Sequence, residues 1–115
     1  MTEPTIDRAT FDELKETAGA DFILELVDTF LTEAPGLLDE LRHSFAKLEA
    51  DSFRRAAHSL KSNANTFGAH TLGVLARELE LGGLAPVVEA DGQSLDALAQ
   101  EYARVAAALT ELRNA

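Results

Sequence analysis

The sequence predicts an all-α protein: an antiparallel four-helix bundle with a short extra helix at its N-terminus. Ala, Leu and Glu dominate the composition, and only three prolines interrupt 115 residues, which favours helix at nearly every position. Apolar residues recur every three or four positions along four long segments, the spacing that gives a helix one buried face. The connections between these segments are mostly short, which favours antiparallel neighbours.

Length and charge limit the classes of function. A chain of 115 residues fits one domain, 1–115. Its net charge of −10 would be repelled by phosphate backbones and anionic lipids, so we expect neither nucleic-acid binding nor membrane insertion. Without cysteine there is no disulfide framework and no thiolate metal site. No signal-peptide pattern and no bilayer-length apolar run are visible, so we expect a cytoplasmic protein.

The first predicted helix covers about 10–18. Thr10 and Glu13 have the spacing of a capping box, in which each side chain caps the other residue's backbone amide. Gly19 is a typical residue for the C-terminal end of this helix.

The second predicted helix covers about 21–48 and begins at Asp21, a favourable N-cap. Pro35 lies inside it, and proline removes one helical hydrogen bond and crowds the preceding turn. The apolar spacing nevertheless keeps its phase from Val27 to Leu41. We therefore predict one helix kinked near Pro35; two helices joined by a tight turn at 35–36 are the alternative.

Three further helices are predicted at about 51–67, 69–82 and 94–113. The third helix begins at Asp51 or Ser52, and Gly68 either ends it or marks a tight contact with the next segment. Gly82 and the following glycine stop the fourth helix. The stretch up to Gly92 reads as a loop with room for one helical turn.

His58 is the residue that carries a chemical signal. At about 100° per residue, the stripe Phe53/Ala57/Leu60/Ala64/Phe67 defines the buried face, and His58 falls roughly 140° away from it. The imidazole is therefore predicted to project into solvent. His43 and His70 carry no comparable signal and read as surface or capping histidines, and the scattered carboxylates read as solvent-exposed groups.

Several polar side chains share the exposed face of His58. Arg54 and Arg55 lie one turn before it, Lys61 and Ser62 one turn after it, and Asn65 two turns after it. Three cations in a protein of net charge −10 would suit an anion that binds transiently at His58, and the small Ser62 leaves one side of the ring open to another protein. An ordinary solvated basic face is the alternative.

The segment 57–69, AHSLKSNANTFGA, resembles the signature of histidine-containing phosphotransfer (HPt) domains: His-x-Leu-Lys-small, then Gly about ten residues after the His. Arg55 and Leu72 on its two sides, and the segment 30–38 on the second helix, are also similar to that family. The resemblance covers about 7–113 and implies a four-helix bundle with a short N-terminal helix.

The resemblance also implies roles. His58 would be the phosphorylated residue, on its outer ring nitrogen, and Lys61 would offset the phosphoryl charge. Ser62 stands where many members have Gly, a mild departure, and Gly68 matches the glycine that ends the helix or permits close packing. Such a protein is a phosphocarrier rather than an enzyme, since no ATP-binding motif is present.

The implied partners are response-regulator receiver domains and a hybrid sensor histidine kinase. A receiver's aspartyl phosphate would donate to His58, and a second receiver's aspartate would accept the group. The resemblance implies no intrinsically bound cofactor, Mg²⁺ supplied by the receiver, and a monomer. A helical interaction domain that binds a receiver or kinase without being phosphorylated is the alternative function. A metal carrier is disfavoured because the three histidines lack ligand spacing.

Overall fold

The computed structural model describes residues 5–114, so the first four residues and the last residue of the predicted 1–115 domain lie outside it. The described chain is helical throughout and contains no strand. Its helices are α1 (Arg8–Ala18), α2 (Ala20–Lys47), α3 (Ala50–Thr66), α4 (His70–Gly82), α5 (Leu84–Glu89) and α6 (Gln93–Asn114). None of these helices is long and apolar enough to cross a membrane. The predicted all-α class is confirmed.

The four long helices close into a ring in which α2 contacts α3, α3 contacts α4, α4 contacts α6, and α6 returns to α2. Side-chain pairs give the directions. Arg42 pairs with Asp96 near one end of the bundle and Arg113 pairs with Asp28 near the other, so α2 and α6 run antiparallel. The predicted bundle, with a short helix before it, is therefore observed.

The predicted inward stripe of α3 forms the centre of the core. Phe53, Ala57, Leu60, Ala64 and Phe67 are all buried. The ring of Phe67 packs against Phe30 of α2 at a centroid distance of 5.4 Å. With the stripe buried, the opposite face of α3 is presented to solvent, and that face carries His58.

α2 is one continuous helix of 28 residues with Pro35 inside it. A single helix is therefore observed and not two helices joined by a turn, while the predicted kink near Pro35 stays a prediction. Pro35 is exposed, so water can satisfy the helical hydrogen bond that proline cannot donate. Burial of the continuous apolar stripe of α2 then stabilises the helix by more than the missing hydrogen bond at Pro35 destabilises it.

The predicted helix starts, at about 10, 21, 51, 69 and 94, are each wrong by one or two residues: the structure has Arg8, Ala20, Ala50, His70 and Gln93. The cap of α1 is Asp7 rather than Thr10, because the Asp7 carboxylate accepts hydrogen bonds from the Ala9 amide at 3.1 Å and the Thr10 hydroxyl at 3.0 Å. α2 begins at Ala20 after Gly19, one residue before the predicted cap Asp21. The predicted loop before Gly92 contains the short helix α5.

Gly68 joins α1 to the junction of α3 and α4. Its φ is +81°, and a Cβ there would lie 2.9 Å from the carbonyl oxygen of Asp7. The Asp7 amide donates to the Gly68 carbonyl at 2.9 Å. Both expected roles are therefore observed: Gly68 follows the C-cap Phe67 at the end of α3, and it allows close backbone packing.

Candidate functional site

His58 stands on the outer face of α3, with 55% of its side chain exposed. Its neighbours Ala57 and Leu60 are fully buried, and this anchors the helix beneath it. The core therefore fixes the backbone at this position, while the imidazole lies outside the core and is partly exposed to solvent. The predicted exposure of His58 is confirmed.

Glu80 of α4 holds both His58 and Lys61. The Nδ1 atom of His58 lies 2.5 Å from one carboxylate oxygen of Glu80, and the Lys61 ammonium donates to the other oxygen at 2.8 Å. The Glu80 side chain is only 14% exposed and that of Lys61 23%, so the contact is partly shielded from water. The three side chains form a bridge between α3 and α4.

The ionisation of Glu80 determines which nitrogen of His58 is reactive. The hydrogen bond from Lys61 has the largest effect and lowers the pKa of Glu80; partial burial opposes it, and the contact with His58 lowers it further. An ionised carboxylate can only accept, so the Nδ1 atom of His58 must donate its proton to Glu80. In the neutral imidazole the other ring nitrogen, Nε2, then carries the free lone pair.

This arrangement suits a nucleophile. A histidine whose inner nitrogen donates to a carboxylate is held in one orientation and one tautomer, and the carboxylate stabilises the positive ring that forms when the outer nitrogen is alkylated, protonated or phosphorylated. Lys61 places a cation within one helical turn of the same ring. The site can therefore take up an anionic group at Nε2.

Glu80 was not among the candidate residues, and the expectation that the carboxylates all face solvent is wrong for it. It is also wrong for Glu101, which is 4% exposed. A helical wheel of α4 could have suggested Glu80, because it follows the buried Leu79 by 100° and so lies at the edge of the buried face. Pairing α3 with α4 across the short connection after Phe67 brings that edge opposite His58.

The two arginines before His58 are placed as predicted on exposed positions of α3. The Arg54 guanidinium lies 3.7 Å from the carboxylate of Asp51, so it has a partner within its own helix. Arg55 forms no ion pair with any residue in 5–114. Of the three predicted cations, only Lys61 joins His58 at a shared carboxylate.

Asn65 lies at the packed seam between α3 and α4. A Cβ added to Gly73 of α4 would lie 2.2 Å from the Asn65 side-chain oxygen, so the two helices approach closely at this point. Asn65 faces Gly73 where His58 faces Glu80, and these two pairs show that α3 and α4 run antiparallel. The structure thus brings Asn65 to the same seam as the His58 bridge, two turns further along α3.

An open depression of about 510 Å³ lies on the other side of His58, between α2 and α3. Its lining residues are Glu33, Gly36, Leu37, His58, Ser59, Ser62 and Asn63. These lining residues come from α2 and α3, whereas the Nδ1 atom of His58 contacts Glu80 of α4. Ser62, predicted to leave room beside the ring, lines the depression.

The other two histidines lie apart from this site. His43 is exposed and lies 3.8 Å from Glu49. His70, at the start of α4, lies 3.3 Å from the Asp7 carboxylate, which agrees with its predicted surface or capping role. In residues 5–114 no three His, Cys, Asp or Glu side chains cluster in a way that could hold a metal ion.

A helical bundle that displays an oriented histidine beside a lysine, with an open surface in front of it, has the architecture of a phosphotransfer protein. The Hpt domain family model matches residues 25–115 of this chain. The chain belongs to the Hpt domain family. Hpt domains carry out histidine phosphotransfer in phosphorelays, where they work with receiver domains and kinases and act as phosphocarriers.

Two further proteins are similar to this chain. The sensor protein TorS of Escherichia coli (strain K12) is 31% identical over 78 residues, which are 68% of this chain and 8% of TorS. The chain thus spans less than a tenth of that relative's length. The crystal structure of histidine-containing phosphotransfer protein B (HptB) from Pseudomonas aeruginosa PAO1 matches with a TM-score of 0.89 at 24% identity, covering 98% of this chain and 97% of HptB. The latter likeness concerns the fold.

Proposed function

We propose that His58 accepts a phosphoryl group on Nε2 from the aspartyl phosphate of a receiver domain and passes it to the aspartate of a response regulator. The contact of 2.5 Å between His58 Nδ1 and Glu80 carries the proposal. This contact supports a proton on Nδ1, with Nε2 of the neutral ring as the nucleophile.

The transfer needs no proton to move. The Nε2 lone pair attacks the phosphorus in line, the Nε2–P bond forms as the P–O bond to the aspartate breaks, and the aspartate leaves as a carboxylate. The imidazole becomes positively charged, and Glu80, which still accepts the Nδ1 proton, stabilises that charge. In onward transfer a second aspartate oxygen attacks, the N–P bond breaks, and the ring returns to its neutral form.

Lys61 is the proposed counter-charge for the phosphoryl oxygens. Phosphoryl transfer depends mainly on positioning and charge stabilisation, and Lys61 lies one turn from His58 on the same helix. Arg54, Arg55 and Ser62 would support this role from the surrounding surface, and Asn65 and Gly68 by fixing the ends and packing of α3.

Mg²⁺ is proposed to come from the receiver domain. Mg²⁺ takes oxygen ligands, usually one or two carboxylates with phosphate and water. Beside His58 the carboxylate of Glu80 is already shared by Lys61 and the ring. The receiver would therefore supply the metal and most of the catalytic groups, while this chain supplies the nucleophile, the cation and a docking surface.

The test is transfer from a phosphorylated receiver. The purified protein, its His58→Gln variant and its His43→Gln variant are each mixed with phosphorylated receiver domains and Mg²⁺, and intact mass is recorded. We expect a gain of about 80 Da, one phosphoryl group, in the wild type and in His43→Gln but not in His58→Gln. The modification should be labile in acid and stable in alkali, as a phosphohistidine is.

The alternative outcome is equally clear. If several receivers bind the wild type but none phosphorylates it, the chain is an interaction domain and His58 belongs to a docking surface. If His58→Gln gains the group as well, another residue is the acceptor.

A further inference from the structure

Gly36 occupies a position where glycine weakens the fold. It lies in the middle of α2, directly after Pro35. A glycine inside a helix costs stability relative to alanine, because it loses more backbone entropy on folding. The presence of glycine at a position where alanine would be more stable calls for a structural or a functional explanation.

The packing of the protein gives no structural reason. A Cβ added to Gly36 would meet no atom within 4 Å, and its φ lies outside the left-handed region. Gly68 contrasts with it, because that glycine has a positive φ and a Cβ there would press on Asp7. Any good helix-forming residue would fit at position 36 of the isolated protein.

The position of Gly36 points to a functional reason. It lines the depression of about 510 Å³ beside His58, one turn from Glu33 and next to Leu37. His58 lines the same depression, while its Nδ1 atom is held by Glu80 of α4. A side chain at position 36 would take up part of the open space that His58 also lines.

We propose that Gly36 keeps this depression open so that a segment of the partner receiver domain can enter it during phosphotransfer. The inference rests on the function proposed above and extends it by assigning a specific part of α2 to the docking surface. The absent side chain allows the receiver's surface to approach α2 closely, and close approach is needed to bring its aspartate in line with Nε2.

The residues that line the depression indicate which side chains the bound receiver segment presents. Leu37, half-buried, offers apolar surface, and Glu33, exposed, offers a carboxylate. The residues around the depression include no lysine or arginine. The complementary receiver segment therefore presents an apolar side chain towards Leu37 and a cation towards Glu33.

Two substitutions of increasing size test the proposal. Gly36→Ala and Gly36→Leu both place good helix formers at the position, so each should raise the melting temperature by a few degrees. Each should slow transfer from a phosphorylated receiver, with Gly36→Leu losing about tenfold or more in kcat/KM. Glu25→Ala, on an exposed turn of α2 far from the depression, is the matched control and should leave transfer unchanged.

A small phosphoryl donor separates docking from chemistry. Phosphoramidate needs no docking surface, so His58 should be phosphorylated by it at the same rate in the wild type and in both Gly36 variants. A panel of receiver domains from the organism that encodes the chain serves as the protein donors, and receiver binding to the unphosphorylated protein is measured separately.

The outcomes distinguish this inference from the proposed function. Equal transfer from receivers and equal receiver binding in the wild type and Gly36→Leu would overturn the inference while leaving the proposed function intact. An equal loss with phosphoramidate and with receivers would also overturn it, because the substitution would then obstruct His58 itself. If the wild type binds a receiver but takes no phosphoryl group, the proposed function fails, while weaker binding by Gly36→Leu would still support the docking role.

Discussion

The ring of His58 and the carboxylate of Glu80 connect two helices through residues 22 positions apart, with 2.5 Å between Nδ1 and the carboxylate oxygen. The orientation of the histidine is therefore set by the packing of α4 against α3 and not by α3 alone. Lys61 shares the same carboxylate, so one residue of α4 holds both candidate side chains of α3.

Replacing Glu80 should impair transfer without unfolding the protein. Glu80→Ala frees the ring, removes the acceptor for the Nδ1 proton and withdraws the charge that stabilises the phosphorylated ring; we expect a loss on the order of 100-fold in transfer rate. Glu80→Gln keeps an acceptor without the charge and should give an intermediate rate. Rapid-quench kinetics with a phosphorylated receiver measure both.

The control for Glu80 is its exposed neighbour on α4, Glu78. Glu78→Ala changes the net charge equally but leaves the bridge to His58 intact, so its transfer rate should match the wild type. An equal loss of rate in Glu80→Ala and Glu78→Ala would show that net charge, and not orientation, matters, and a wild-type rate in Glu80→Ala would remove Glu80 from the mechanism.

Lys61→Ala should also slow transfer, because the phosphoryl oxygens lose their nearest cation on α3. Removing one charge-stabilising group from a phosphoryl or oxyanion site costs about 100-fold or more. Lys61→Arg keeps the charge and should recover part of the rate. Helical circular dichroism of both variants should match the wild type, and an unchanged rate in Lys61→Ala would remove this residue from the mechanism.

The sequence predicts the exposed histidine but not its partner, and the reason is physical. The position of His58 follows from the spacing of apolar residues within α3, which is local information. The contact with Glu80 depends on how α4 packs across α3, which no local pattern contains. The cap of α1 shows the same limit: Thr10 has favourable local spacing, but Asp7 is selected by its contacts with Gly68 and His70.

Replacing Gly68 and Gly36 by alanine should change the free energy of unfolding in opposite directions, because the two glycines differ in backbone conformation and surroundings. Gly68→Ala forces a side chain into a positive φ, which costs about 1–2 kcal/mol, and the contact with Asp7 adds to that cost. Gly36→Ala fills open space in an ordinary helix and should stabilise by about 0.5–1 kcal/mol. Urea denaturation measures both, and a neutral Gly68→Ala would mean that the α1 junction relaxes freely.

Leu60 tests the orientation of α3 directly. It is fully buried two residues after the exposed His58, so Leu60→Ala should leave a cavity and cost about 2–5 kcal/mol. Leu81 is 67% exposed on α4, and Leu81→Ala should change stability by less than about 0.5 kcal/mol. Similar costs for the two variants would contradict the assigned faces of the helices.

The ion pair between Asp28 and Arg113 should make folding sensitive to acid. The Arg113 guanidinium donates to both carboxylate oxygens, at 2.6 and 3.0 Å, and these hydrogen bonds lower the pKa of Asp28 below its ordinary value of 3.8. Because the unfolded carboxylate binds protons more readily, the pair stabilises the fold above pH 3.8 and loses that effect as pH falls through the lower folded pKa.

Asp28→Asn removes this dependence. We expect the urea midpoint of the wild type to exceed that of Asp28→Asn at pH 7, and the two to converge as the pH falls through the lowered pKa of the folded Asp28. Asp39→Asn, another exposed aspartate of α2, controls for net charge because no ion pair within residues 5–114 involves it. A difference between wild type and Asp28→Asn that stays constant with pH would show that Asp28 contributes through packing and not through its charge.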